Sequence, residues 1–221
     1  MKPNHDYPGK FIILEGCEGA GKTTLIKSLK LNMQNFGYKV VATKEPDCGT
    51  PRCKQICKDL LSPEKSLTVA EELDLMIECR KENFGKIVIP ALKTGKFVLC
   101  DRSYPSTIAY QHYGAGFDLT EILKADAIAR QNVSADLILL LDIVDPVAGL
   151  KRKNIESRFE KKDIEFHQRV RKGYLQQWYD DNDGNWRHID ASSSRENVRE
   201  KALKIVFETI LRERKNNASI R

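Results

Sequence analysis

Short apolar runs alternate along this chain with stretches in which apolar residues recur every three or four positions. "KFIILE" (Lys10–Glu15), "YKVVAT" (Tyr38–Thr43), "KFVLC" (Lys96–Cys100) and "ADLILLLD" (Ala135–Asp142) predict strands, with a weaker fifth in "WRHID" (Trp186–Asp190). From Lys22 the period changes. Leu25, Ile26, Leu29, Met33 and Phe36 follow helical spacing until Gly37 closes the segment. Helical patterns also cover about 51–61, a long stretch from Val69 to Lys93 stopped by Gly95, and 104–113, 118–131, 146–153, 163–180 and 195–215. Strands apolar on both faces and separated by helices predict an α/β fold, with a parallel sheet covered by helices on both sides. There is no internal repeat and no low-complexity linker, so one domain over 1–221 is expected. Such sheets bind ligands at the carboxyl ends of their strands. Functional residues are therefore expected just after Glu15, Thr43, Cys100 and Asp142.

Composition narrows this picture. The chain has 221 residues, 41% of them apolar, enough for a sizeable core. No apolar run is long enough to span a bilayer, and "MKPNHDYPGK" lacks a secretory signal's apolar stretch, so a cytoplasmic location without membrane attachment is expected. The net charge of +6 is spread along the chain, denser at 151–162 and 212–221. Solvated helix faces and anionic small ligands account for it, and polymeric nucleic acid is not expected as a partner. Cys48, Cys53 and Cys57 cluster, but a closed zinc site wants four ligands and no fourth Cys or His lies nearby. Reduced thiols are the expectation.

The chemistry begins in "EGCEGAGKTT". A glycine, four spacers and Gly-Lys-Thr between a strand and a helix form a phosphate-cradling loop. Gly16, Gly19 and Gly21 let backbone N–H groups approach a phosphate, and the following helix adds its positive end. The residues expected around a triphosphate are Gly16, Cys17, Glu18, Gly19, Ala20, Gly21, Lys22, Thr23 and Thr24. Lys22 would reach the β- and γ-phosphates, and the Thr23 hydroxyl would ligate magnesium. The motif specifies triphosphate binding without specifying its use. The Asn-Lys-x-Asp signature of guanine-binding switches is absent.

Three further features point to a second ligand. Arg80 falls on the apolar stripe of Leu73, Met76, Ile77, Phe84, Ile87, Val88 and Ala91. A guanidinium cannot stay bare there, so it either pairs with carboxylates or faces a ligand cavity. After the third strand, "DRSYPSTIAYQ" places Asp101 to orient magnesium or its waters. Arg102 suits an anionic substrate, and Ser106, Thr107, Tyr110 and Gln111 add hydrogen-bonding groups. "KRKNIESRFEKK" (151–162) is either a solvated helix face or a segment that closes over a triphosphate, bringing cations and excluding water.

Taken together, "FIILEGCEGAGKTT", "KEPDCGTP", "IVIPALKTGKFVLCDR", "STIAYQ", "GLKRK" with "SRFE", "EFHQRVRKGYL" and "IDAS" resemble thymidylate kinases of the bacterial type over about residues 10–200. The resemblance implies a three-layer P-loop NTPase fold with a five-stranded parallel sheet and a short lid at about 150–162. It implies transfer of the γ-phosphate of ATP to dTMP, with Mg²⁺, by a homodimer. Glu18 then matches an acceptor-sugar contact, Arg80 the reader of the thymine edge, and Arg102 the grip on the acceptor phosphate. Thr107 and Tyr110 match base and sugar contacts. Glu45 and Pro46 belong to the loop after the second strand, where the family proline is often cis. Lys22 and Arg102 are the catalytic cations of the core. Because Ala20 stands where some members carry a loop arginine, the catalytic arginine is expected in the lid, as Arg158 first and Arg152 second.

Three departures bear on the substrate. Lys44 stands for an arginine with Asp47-Cys48 disturbing a double glycine, Met76 replaces a stacking aromatic, and Ser103 replaces a tyrosine. They leave open a kinase of the same fold for dUMP or a modified pyrimidine. A P-loop ATPase switch acting on a partner is the reading from a different class.

Overall fold

The computed structural model describes residues 5–151 and 157–218. Its centre is one parallel sheet of β1 (Lys10–Glu15), β2 (Val40–Lys44), β3 (Phe97–Asp101), β4 (Leu137–Asp142) and β5 (Trp186–Asp190), in the order β2-β3-β1-β4-β5. All five predicted strands are present, β2, β3 and β4 with bounds shifted by one or two residues. The helices are α1 (Lys22–Asn35), α2 (Pro51–Leu61), α3 (Val69–Asn83), α4 (Ile89–Lys93), α5 (Tyr104–Thr107), α6 (Leu119–Ala129), α7 (Pro146–Leu150), α8 (Ile164–Tyr179) and α9 (Arg195–Ala218).

Strand alternation divides the core into two layers. In β1, Phe11 and Ile13 face one side, where they meet Phe84, Val88, Val170 and Tyr174. Ile12 and Leu14 face the other, where they meet Leu25, Leu29, Met33 and Val206. This period of two explains why both faces of each central strand read as apolar.

The long helix predicted from Val69 to Lys93 is one element with a flaw. It opens with a capping box: Glu71 N–H donates to Thr68 Oγ1 (3.2 Å) and Thr68 N–H to the Glu71 carboxylate (2.7 Å). It widens into a π-helical turn over Phe84–Val88 and resumes as α4. Pro90 explains the break, since it has no N–H to donate and its ring crowds the carbonyl one turn back. A second π-helical segment, Ile108–Gly114, follows α5 and packs on α8. There Gly114 lies under Phe166, which a Cβ would approach to 2.7 Å.

Around α2, Cys48 and Cys53 bring their sulfurs to 3.3 Å, and all six cysteines are free thiols. Among the described residues no group of His, Cys, Asp or Glu has the geometry to hold a metal ion, and no helix is long and apolar enough to cross a membrane.

Candidate active site

The phosphate loop follows β1, the central strand, and turns into α1. Gly16 has φ 137°, and a Cβ there would lie 2.2 Å from the Leu141 carbonyl. Only glycine permits that conformation and that approach. Gly19 (φ 71°) touches the backbone of Gly149 in α7, and a Cβ at Gly19 would stand 2.0 Å from the Gly149 oxygen. The loop is thus wedged between β4 and the helix that leads to the basic segment.

Lys22 is 7% exposed and donates to the carbonyls of Gly16 and Cys17, each at 2.9 Å. Burial, followed by the charge of Arg102, lowers its pKa to about 8. The sign matters for anion binding. A triphosphate is drawn to the ammonium, which dominates below that value and is lost in the free protein above it. ATP affinity is therefore expected to fall towards tenfold per pH unit above about pH 8. Titration with a fluorescent ATP analogue from about pH 7 to about pH 9.5 checks this. An affinity constant across that span would place the triphosphate away from Lys22.

Thr23 donates its hydroxyl to Asp101 Oδ2 at 2.5 Å. The pair joins the first turn of α1 to the end of β3, as expected of two residues sharing one site.

Arg102 comes next, in the left-handed backbone region at φ 67°. A non-glycine residue there is strained by about 1–3 kcal/mol, a cost that tends to be held at functional sites. Its N–H donates to the Leu14 carbonyl (3.0 Å). Its guanidinium reaches Glu18 Oε1 (2.9 Å), Tyr174 Oη (2.8 Å), Ser106 Oγ (3.2 Å) and Tyr110 Oη (3.3 Å). Behind it, Glu15 accepts from Ser103 N–H (2.8 Å), Ser106 Oγ (2.7 Å) and Tyr174 Oη (3.1 Å). Burial raises the pKa of Glu15 against the pull of Arg102, and burial raises those of Tyr110 and Tyr174, so both phenols stay proton donors.

Arg80 meets both alternatives posed for it. At 2% exposure its Nε donates to Glu45 Oε2 (2.9 Å), Nη1 to Asp126 Oδ1 (3.0 Å) and Nη2 to Thr107 Oγ1 (2.9 Å). Burial opposes its charge, but Glu45 and Asp126 outweigh burial and hold its pKa above the ordinary value. It also lines a cavity. All ten residues assigned to the acceptor, from Glu18 to Gln111, line this one space, together with Leu60, Leu61, Ser103 and Phe159. The Glu45–Pro46 peptide at its edge is cis.

Beside the cavity opens a cleft of about 1150 Å³, lined by Glu18 to Thr24, Asp101, Ser193, Ser194, Arg195 and Arg199. Glu18, Glu45, Pro46, Arg102, Leu61 and Phe159 line both spaces. They therefore meet where the phosphate loop faces Arg102.

The lid residues fare differently. Arg152 lies outside the described residues. Arg158 is not brought to the phosphate loop. Its Nε donates to the Leu60 carbonyl (2.6 Å), its N–H to that of Leu61 (3.2 Å), and its guanidinium is ion-paired with Glu72. In this conformation it lies behind the cavity, bonded to Leu60 and Leu61 of its wall. The reason is local: α2 ends at Leu61 with unpaired carbonyls, and Glu72 offers a buried carboxylate beside them.

Sequence reasoning missed Glu15, Glu72, Asp126 and Tyr174, the partners that orient the predicted residues. Glu15 ends a strand, Tyr174 lies in the quoted "EFHQRVRKGYL", Glu72 lies four residues before Met76 on the Arg80 stripe, and Asp126 sits on a helix with nothing local to mark it. Positions 193–196, 198 and 199 were missed as cleft residues, although "IDAS" ends one residue before them.

Sheet order and phosphate loop define a P-loop nucleoside triphosphate-binding fold. The family profile described as thymidylate kinase matches residues 14–202. Thymidylate kinases of Carboxydothermus hydrogenoformans and Magnetococcus marinus are 40% and 41% identical to it, over 76% of this chain and 83% and 81% of their own. That of a Synechococcus strain is 39% identical over 74% of this chain and 79% of its own. The chain belongs to the thymidylate kinase family.

Proposed function

We propose that this protein transfers the γ-phosphate of ATP to dTMP, giving ADP and dTDP. The observation that carries the assignment of sites is the junction of two spaces at Glu18 and Arg102. ATP lies along the phosphate loop with its nucleoside towards Ser193, Arg195 and Arg199. The acceptor lies in the cavity with its 5′-phosphate on Arg102.

The chain contributes position and charge. Loop N–H groups and Lys22 hold the donor phosphates. Arg102 holds the acceptor phosphate in line with them, and its network through Tyr174 and Glu15 fixes the guanidinium beforehand. Held in this way, the reaction needs no covalent intermediate. Glu18 faces the acceptor sugar alongside Tyr110. Arg80 presents its donors to the base, with Thr107 beside it. Gln111 lines the same cavity, and Met76 packs on the ring through its polarisable sulfur.

The Thr23 hydroxyl and Asp101 carboxylate are hard oxygen donors beside the phosphate loop, a set that fits magnesium, which pairs one or two such groups with substrate phosphates. Bound there, the ion would neutralise charge on the phosphates. Of the two arginines expected in the lid, this reading gives the phosphate role to Arg152, since Arg158 is bonded to Leu60 and paired with Glu72. For the homodimer, Leu73, Phe84 and Val88 of the long helix are buried inside the chain. The contact therefore falls to a neighbour, α6, whose Ile128 is 78% exposed. The cytoplasm is the compartment this reading implies.

The deciding experiment is ADP release with a panel of monophosphates. dTMP is expected to give the highest kcat/KM. If dTMP were no better than dCMP or dGMP, or if ATP were hydrolysed slowly with no response to any nucleotide, the proposal would fail.

A further inference from the structure

Gln111 is 1% exposed and lines the acceptor cavity. Its Nε2 donates to Glu72 Oε2 at 3.1 Å, and its Oε1 is buried without a hydrogen-bond partner in the described structure. A carboxylate can only accept, so Glu72 decides which end of the amide it takes. The NH₂ is held, and the carbonyl oxygen is left for whatever enters the cavity. Glu72, 6% exposed, is in turn held by Arg158, a group that can only donate.

We propose that Glu72 is a positioning residue for base selection. Together with Arg158 it locks the Gln111 amide with its carbonyl towards the base, so that the site selects a ring N–H donor and rejects a ring nitrogen acceptor. The chain of polarity runs one way: the Arg158 cation is ion-paired with Glu72, Gln111 donates to Glu72, and the base donates to Gln111. Thymine and uracil carry the required N3–H. Cytosine presents a lone pair there, and a buried carbonyl facing a lone pair is left unsatisfied. The proposal rests on the reading of this cavity as the base site. It deepens that reading by naming what sets the hydrogen-bond sense.

Glu72→Gln tests it because the replacement reverses the chain. Arg158 can only donate, so the introduced amide must turn its oxygen to Arg158 and its NH₂ to Gln111. The Gln111 amide must then flip, and its NH₂ faces the cavity. The two substrates to compare are dTMP and 5-methyl-dCMP, which share the ring methyl and differ at N3 and C4. The ratio of their kcat/KM values is expected to fall about 10- to 100-fold in Glu72→Gln. Glu72→Met keeps the volume and removes the acceptor. It releases the amide to either orientation, so its ratio is expected to fall less. Melting curves establish that each variant is folded, and Glu72→Met carries the test if Glu72→Gln is not. A purely structural role would depress both substrates alike, and an unchanged ratio in the folded variants overturns the proposal. If the unmodified protein does not phosphorylate dTMP at all, the base-site reading fails instead, which is a separate result.

Discussion

Replacing Arg102 with leucine is expected to lower kcat/KM for dTMP by about 10³-fold. That magnitude follows from losing a buried charged contact to phosphate, about 4 kcal/mol at 1.36 kcal/mol per tenfold. Several features make this the largest functional effect in the acceptor site. The guanidinium stands where the two spaces meet, which on the proposed reading is where the attacking phosphate lies. Four side chains hold it, among them Tyr174 and Glu18 at 2.8 and 2.9 Å, so it is in place before substrate arrives. Nor does another described arginine line both spaces. Steady-state kinetics with ATP saturating would separate the components: KM for dTMP should rise and kcat should fall with it. Arg102→Lys should recover little, because a point charge cannot reproduce a planar fork. A loss below about tenfold in Arg102→Leu would move the acceptor phosphate to another cation.

Replacing Arg80 with leucine is expected to damage the fold as well as the site. Glu45 and Asp126 would be left buried without the cation that lies 2.9 and 3.0 Å from them. Breaking such a pair costs about 3–5 kcal/mol, since an uncompensated charge remains inside. For a chain of this length that corresponds to a fall in Tm of roughly 10 °C. Arg130 still bonds Asp126 at 2.6 Å and Asn83 still bonds Glu45 at 3.0 Å, which keeps the loss from being greater. Calorimetry of the free protein reads this directly. Arg80→Lys separates the two roles: it keeps a charge near the carboxylates but cannot bond Glu45, Asp126 and Thr107 together. Its Tm should fall less while dTMP binding still weakens. If Arg80→Leu melted within a degree or two of the unmodified protein, the carboxylates would have to be satisfied in another way.

Much of the architecture was legible in the chain because it rests on local pattern. Period-two apolar strands, helices between them and a glycine loop at the first strand end are all short-range signals. The loop chemistry expected of Lys22 and Thr23 follows from spacing alone; Arg80, Arg102, Ser106, Thr107, Tyr110 and Gln111 were expected around a second ligand from their pattern, the resemblance added Glu18, Glu45, Pro46 and Met76, and all ten line one cavity. The break in the long helix was also written in the sequence, at Pro90, but its form depended on how the chain accommodated a missing N–H.

Other features are set by tertiary contact. The spacing from Thr68 marks Glu71 as a helix cap, but nothing in "VAEELDL" says that its neighbour Glu72 is buried against Gln111 and Arg158. The sequence offered Arg158 as a lid cation, and the fold placed it against the acceptor wall, because α2 presents free carbonyls there. Likewise Arg80 could be known to need a partner, but not that Glu45 and Asp126, 35 and 46 residues away, would both supply it. By itself the sequence determined the phosphate grip, the fold class and the family, since those depend on residue type at fixed spacing. The tertiary structure alone decided which buried charges meet, and so which way each donor and acceptor in the acceptor site must face. A hydrogen bond's direction depends on the partner across the fold, and that partner has no fixed distance along the chain.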